Sequence, residues 1–236
     1  MRVYTNTQLV ENRAKWGKRI APLTLAFLVG GLITNFLSIN NPEYFRLTLI
    51  LLFIGFISAI FSSNLVNNWV REPRSDQVLA QILKKFGNDY LLFNYTTPTR
   101  HVLLAPDAVH VITIKKHDGD ITVNGRKVSR KFHWKRLIRF FGDEGLGVPV
   151  SEAEGNADKI KKFLSKSMNE ADLPPIKPLL FFTNKEVKLT VIDPAVPVVQ
   201  PNEIKTYLRD QAKQRGISAE QRKQLSEILA GDAKAE

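Results

Sequence analysis

The chain opens with two long apolar runs that lack a polar face. Residues 20–39 carry no charge, and neither do residues 47–70, whose far end is wet with Asn64, Asn67 and Asn68. A helix needs about 20 apolar residues to cross the bilayer core. The runs therefore predict two membrane-spanning helices, over 20–39 and 47–67, within a hairpin segment 20–70. Asn41-Pro42 supplies the turn between them. Small residues recur every fourth position, at Ala26, Gly30 and Thr34 and again at Gly55, Ala59 and Ser63. That spacing lets helix backbones approach closely, within the hairpin or between copies of it. No acid or base lies inside either run, so neither offers a path for ions or protons. The first run is long for a signal-peptide core, and a second span follows at once.

After Pro73 the pattern becomes that of a folded α/β unit. Ser75-Asp76 can cap a helix whose apolar stripe is Val78, Leu79, Ile82, Leu83 and Phe86. A strand is expected over 90–95, then two β-rich runs, 101–105 and 108–116, around Pro106-Asp107. A two-residue loop there makes a hairpin. Direct closure pairs Ala105 with Ala108, and counting back sets Arg100 opposite Thr113. Lys115, two residues on, shares that face. Further strands are expected over 121–123, 179–183 and 187–192, and helices over 154–168, 201–214 and 218–229. Pro174, Pro175 and Pro178 predict an extended connector, and Ser218 with Gln221 fits a capping box. The order of elements gives an α/β domain with a mixed sheet over 75–230, and a disordered tail over 231–236.

Charge adds an orientation. The net charge is +11 and there is no cysteine, which excludes disulfides and thiolate metal sites. Arg2, Arg13, Lys15, Lys18 and Arg19 lie in the basic segment 1–19 before the first span, and Arg71 and Arg74 follow the second. The loop 40–45 has no Lys or Arg, although Arg46 sits at its edge. Positive residues stay on the cytoplasmic side, so both termini are expected there, in a two-span integral membrane protein. Trp16, Tyr44 and Trp69 fall near the expected interfaces. A second basic cluster, Arg126, Lys127, Arg130, Lys131, Lys135, Arg136 and Arg139, is interleaved with Phe132, His133 and Trp134. Cations among aromatics suit anionic lipid headgroups or single-stranded nucleic acid. The histidines show no zinc-ligand spacing.

The run PTRHVLLAPDAVHVITIKKHDGDITV, residues 98–123, resembles the nuclease-related domain, a branch of the restriction-endonuclease-like superfamily. The resemblance extends over roughly residues 75–229. It implies a restriction-endonuclease-like fold and a metal-dependent phosphodiesterase site. In that pattern an acid precedes a His-Val strand, and Glu-x-Lys ends the next strand. Here Arg100 precedes His101-Val102, and Thr113-Ile114-Lys115 keeps only the lysine. Asp76 matches an acid opening the first helix, and Glu152 falls near a position that often holds Gln. The resemblance thus implies a degenerate site of Asp76, Arg100, Thr113, Lys115 and Glu152, with no catalytic residue, metal or cofactor expected. The chain then reads as a membrane-anchored binding or scaffold module. The alternative is a divergent nuclease that holds Mg²⁺ through displaced carboxylates among Asp76, Asp107, Asp118 and Glu152. Asp107, Asp118 and Asp120 also read simply as turn residues. Arg100 is expected to form a salt bridge with Asp76 or Glu152, or with Lys115 to bind an anion.

Overall fold

The computed structural model describes residues 1–131, 145–214 and 216–235. It divides into two units. The first of these along the chain is helical, Thr7–Arg74. It contains α1 (Thr7–Leu37), α2 (Tyr44–Leu65) and a closing π-helical turn, Val66–Val70. Both long helices are apolar and long enough to cross a membrane.

Their seam differs from the four-residue spacing expected. The buried residues are Val10, Gly17, Thr24 and Gly31 on α1 and Thr48, Gly55 and Ser62 on α2. They recur every seventh position, the repeat that keeps one seam facing its partner in a left-handed pair. A Cβ on Gly31 would come within 2.6 Å of Leu52, and one on Gly55 within 2.7 Å of Leu28. The Thr48 hydroxyl donates to Thr34 Oγ1 at 3.0 Å. Small and hydroxyl side chains thus fill the seam while large apolar ones point away. Leu32 is 63% exposed, Phe53 68% and Phe36 73%. Water penalises such a surface at about 25 cal/mol per Å², whereas lipid does not.

The second unit comprises, among the described residues, Met1–Asn6, residues 75–131 and the residues from 145 onward. Its main sheet has six strands in the order β1 (Arg2–Thr5), β2 (Leu91–Asn94), β3 (His101–Leu104), β4 (Val109–Lys115), β7 (Ile176–Phe182) and β9 (Val198–Val199). The pairings β2–β3 and β3–β4 are antiparallel and the others parallel, so the sheet is mixed as expected. A smaller sheet has the order β6 (Lys127–Arg130), β5 (Gly119–Asn124), β8 (Val187–Ile192).

The hairpin register follows the reading from Pro106-Asp107. The Ala105 N–H donates to the Ala108 carbonyl at 3.0 Å, and Val102 lies opposite Val111. Strand alternation then sorts side chains onto two faces. Val102, Leu104, Val109 and Val111 pack with Ala157, Ile160 and Leu164 of α4 (Pro149–Leu164) and with Leu225 and Leu229 of α6 (Ala219–Ala230). Leu92, Leu103, Ile112 and Phe181 pack on the opposite face with Leu79 and Leu83 of α3 (Ser75–Leu83) and with Ile204 and Leu208 of α5 (Ile204–Ala212).

Several boundaries shift for identifiable reasons. Helix α4 begins at Pro149 rather than residue 154, because proline suits the first helical turn, where its missing N–H is no loss. Pro178 lies within β7 rather than in a connector. It pairs in register with Val111, while β9 covers only Leu180 and Phe181, so among the described residues no strand pairs with the other side of β7 there. Strand β1 was not expected, whereas β6 pairs with β5 across Gly125, where Asn124-Gly125 reads as a hairpin turn. The tail is not wholly structureless either, since Ala235 bridges to Tyr4. The Ser218 cap forms as read: its Oγ accepts from the Gln221 N–H at 3.1 Å. Ser218→Ala is expected to cost α6 about 1 kcal/mol, read as roughly fivefold faster amide exchange in its first turn.

Candidate functional site

Strand β4 and helix α4 build the site that the hairpin pattern identified. Thr113 and Lys115 share the β4 face that carries Val109 and Val111, and α4 covers that face. Glu152 and Asn156, one helical turn apart, come down over them. The Lys115 ammonium lies 2.6 Å from Glu152 Oε2. The Asn156 amide donates to Thr113 Oγ1 at 3.1 Å. Arg100 is exposed, one residue before β3 and in line with Thr113 by register. Its carbonyl accepts from the Tyr95 N–H at 2.8 Å, which closes the loop between β2 and β3. The structure therefore brings Thr113, Lys115 and Glu152 together, and adds Asn156, which sequence reasoning missed. The available signal was its position four residues after Glu152.

Asp76 opens α3, whose apolar residues pack on the other face of the sheet. It is buried, and the Tyr95 hydroxyl lies 3.5 Å from its Oδ1. Tyr95 adopts φ 61°, a left-handed conformation uncommon outside glycine. Beside it His101 is fully buried and donates from Nδ1 to Asn94 Oδ1 at 2.9 Å. Burial holds the His101 imidazole down to about 3. The Asp76 carboxylate works against that shift, and Arg100 and Lys116 add to it.

A third cluster lies at the turn end of β4. Asp107, expected as a turn residue or as one of the displaced carboxylates, is buried there. His110 Nε2 donates toward both of its oxygens at 3.1 Å. The Lys177 ammonium donates to its Oδ2 at 3.0 Å and to Gln211 Oε1 at 2.8 Å. Burial raises the Asp107 carboxyl, but the hydrogen bonds and charges of His110 and Lys177 outweigh it and hold the group below the usual carboxylate range. The cluster ties the hairpin turn to β7 and α5. Asp107 and His110 are buried in it, while Lys177 is partly exposed.

The basic cluster divides. Arg126 pairs with Glu154 at 2.9 Å. Arg130 is mostly buried and binds Asp118 through both its carbonyl and its carboxylate. Asp118 thus serves an ion pair. Lys127 and Lys131 are exposed. Trp134, Lys135, Arg136 and Arg139 lie outside the described residues.

Magnesium prefers oxygen ligands in near-octahedral geometry, usually with at least one carboxylate. The residues at the hairpin do not fit it. Thr113 offers a hydroxyl already engaged by Asn156, and Glu152 is neutralised by Lys115. Among the described residues no three of His, Cys, Asp and Glu converge as a metal site. Residues 71–183 match the family model of the nuclease-related domain. No curated protein matches the chain, and no solved structure does.

Proposed function

We propose that this chain, which carries a nuclease-related domain across residues 71–183, holds that domain at the cytoplasmic membrane surface as a binding or scaffold module that does not cleave nucleic acid. The observation that carries this reading is Thr113. It stands where the resembled pattern has a metal-binding glutamate, its hydroxyl is taken by Asn156, and the retained Lys115 is spent on Glu152. A phosphodiesterase of this class needs a metal to activate water and to stabilise charge on phosphate. This arrangement favours no such ion.

Two observations support the anchor. The large apolar side chains of α1 and α2 face outward, which suits lipid. Strand β1 precedes α1 yet pairs with β2, from Arg2 opposite Leu91 to Thr5 opposite Asn94. The chain before the first long helix and the chain after the second therefore share one sheet, which supports a hairpin with both ends on one side of a membrane. The distribution of Lys and Arg favours the cytoplasm as that side.

The test uses the full-length protein in detergent with labelled single- and double-stranded DNA and RNA, plus Mg²⁺ or Mn²⁺. No cleavage above the metal-only control is expected. Metal-dependent cleavage lost on Glu152→Ala or Asp76→Ala would instead establish a nuclease with relocated ligands. Reporter fusions after Asn41 and after Glu236 test topology separately, and an external C-terminus would sink the orientation.

A further inference from the structure

Among the described residues, the smaller sheet is covered on one face only. Ile121, Val123 and Val187 are buried, and Val128 and Leu189 pack against them. The residues between them face outward. Register aligns Lys188 with Asp120, and Thr122 with both Thr190 and Ser129, while the Lys131 N–H donates to the Asp120 carbonyl. Lys127, Ser129, Lys131, Lys188 and Thr190 are exposed. Among the described residues, this face sets three ammonium groups and a row of hydroxyls against the single carboxylate of Asp120.

We propose that this outer face is the surface on which the domain meets anionic lipid headgroups. The proposal rests on the reading that α1 and α2 cross a membrane. Lysines act as point charges toward phosphate and carboxylate groups, and hydroxyls donate to phosphate oxygens. Connectivity selects lipid over nucleic acid. The folded unit joins the hairpin at two points, between Asn6 and Thr7 and between Arg74 and Ser75. Headgroups are therefore present at high effective concentration whatever else the cell contains. Each lysine near an anionic surface contributes roughly fivefold to the equilibrium and the Asp120 carboxylate opposes one of them, so the face contributes on the order of twentyfold. Lys188 lies far from the basic cluster in sequence and reaches this face only through the parallel pairing of β5 with β8.

The absence of cysteine from the chain gives a clean experiment. Thr190→Cys places one thiol on the face, and Gln224→Cys on α6 serves as a reference. Each full-length variant is reconstituted in nanodiscs of neutral phosphatidylcholine, or with a third of the lipid replaced by phosphatidylserine. The rate of reaction with a hydrophilic maleimide is then measured. Labelling of Thr190→Cys is expected to slow at least tenfold in anionic discs, with the reference unchanged. Rising salt, or Lys127→Glu, Lys131→Glu and Lys188→Glu together, should restore the neutral rate. Equal rates in the two lipids, or equal slowing at Gln224→Cys, would overturn the proposal. So would protection by a single-stranded oligonucleotide in neutral discs without protection by anionic lipid. Carbonate extraction separates the premise from the proposal. A chain released from membranes refutes the anchor, whereas a retained chain with equal rates refutes only the lipid-facing sheet.

Discussion

Acidifying the full-length protein from pH 6.5 to 4.5 is expected to weaken the α/β unit by about 2–3 kcal/mol through His101 alone. The imidazole is buried and stays neutral down to about pH 3 in the folded unit. In the unfolded chain it takes up a proton near its ordinary value of 6.5. Below that value the unfolded state binds more protons, so stability is lost as pH falls, at about 1.4 kcal/mol per pH unit. The loss continues until the folded imidazole itself titrates. Asp107 acts in a lower window: its folded value is depressed, so its contribution is present above about pH 3.9 and is lost only below that. Amide exchange in β2 and β3 of the detergent-solubilised protein, corrected for intrinsic rates, measures the effect. Protection should fall about tenfold per unit between pH 6.5 and 4.5, and His101→Gln should remove most of that slope. Unchanged protection across the window would mean that burial does not keep His101 neutral.

Arg100→Asp combined with Thr113→Glu is expected to create a site for Mn²⁺ or Mg²⁺. The two positions lie across the β3–β4 register, and Lys115 and Glu152 are already beside position 113. The first substitution also removes a cation. At about 4 Å and an effective dielectric near 20, one unit charge repels another by roughly 4 kcal/mol, and a divalent ion feels about twice that. Calorimetric titration of both forms, with amide exchange in β4 as a check on folding, is the measurement. Heat on metal addition is expected only from the double variant. A folded double variant that binds no metal would count against the site geometry. Tight binding by the natural protein would overturn the non-cleaving reading.

The legible and illegible parts of this chain differ in how far apart their determinants lie. Pro106-Asp107 fixes a two-residue loop, and a loop fixes register, so the placement of Arg100 across from Thr113 follows from neighbours alone. The burial of Asp107 does not. Its residue type says turn, and beyond the nearby His110 it takes Lys177, 70 residues away, and Gln211 on α5 to complete its ion network. The resemblance put Lys115 and Glu152 in one site, but their direct ion pair depends on α4 starting at Pro149. The helical seam was misread for another reason. Small residues are frequent enough in both runs to satisfy a four-residue or a seven-residue repeat, and only the packing chooses between them. The tetrapeptide Arg2–Thr5 carries no turn signal and runs almost directly into a helix, so nothing local marks it as a strand.

That first strand sets an order of events during synthesis. It is made before the backbone groups it needs, which come about 85 residues later, as in the bond from the Met1 nitrogen to the Phe86 carbonyl. Both apolar helices emerge in the interval. The edge of the sheet must therefore wait, unpaired, until the chain has passed both helices. On the proposed reading that these helices span a membrane, a first helix threaded the wrong way round would leave Arg2–Thr5 across the bilayer from β2 and the domain with a bare edge. Completion of the sheet would then act as a proofreading step on insertion.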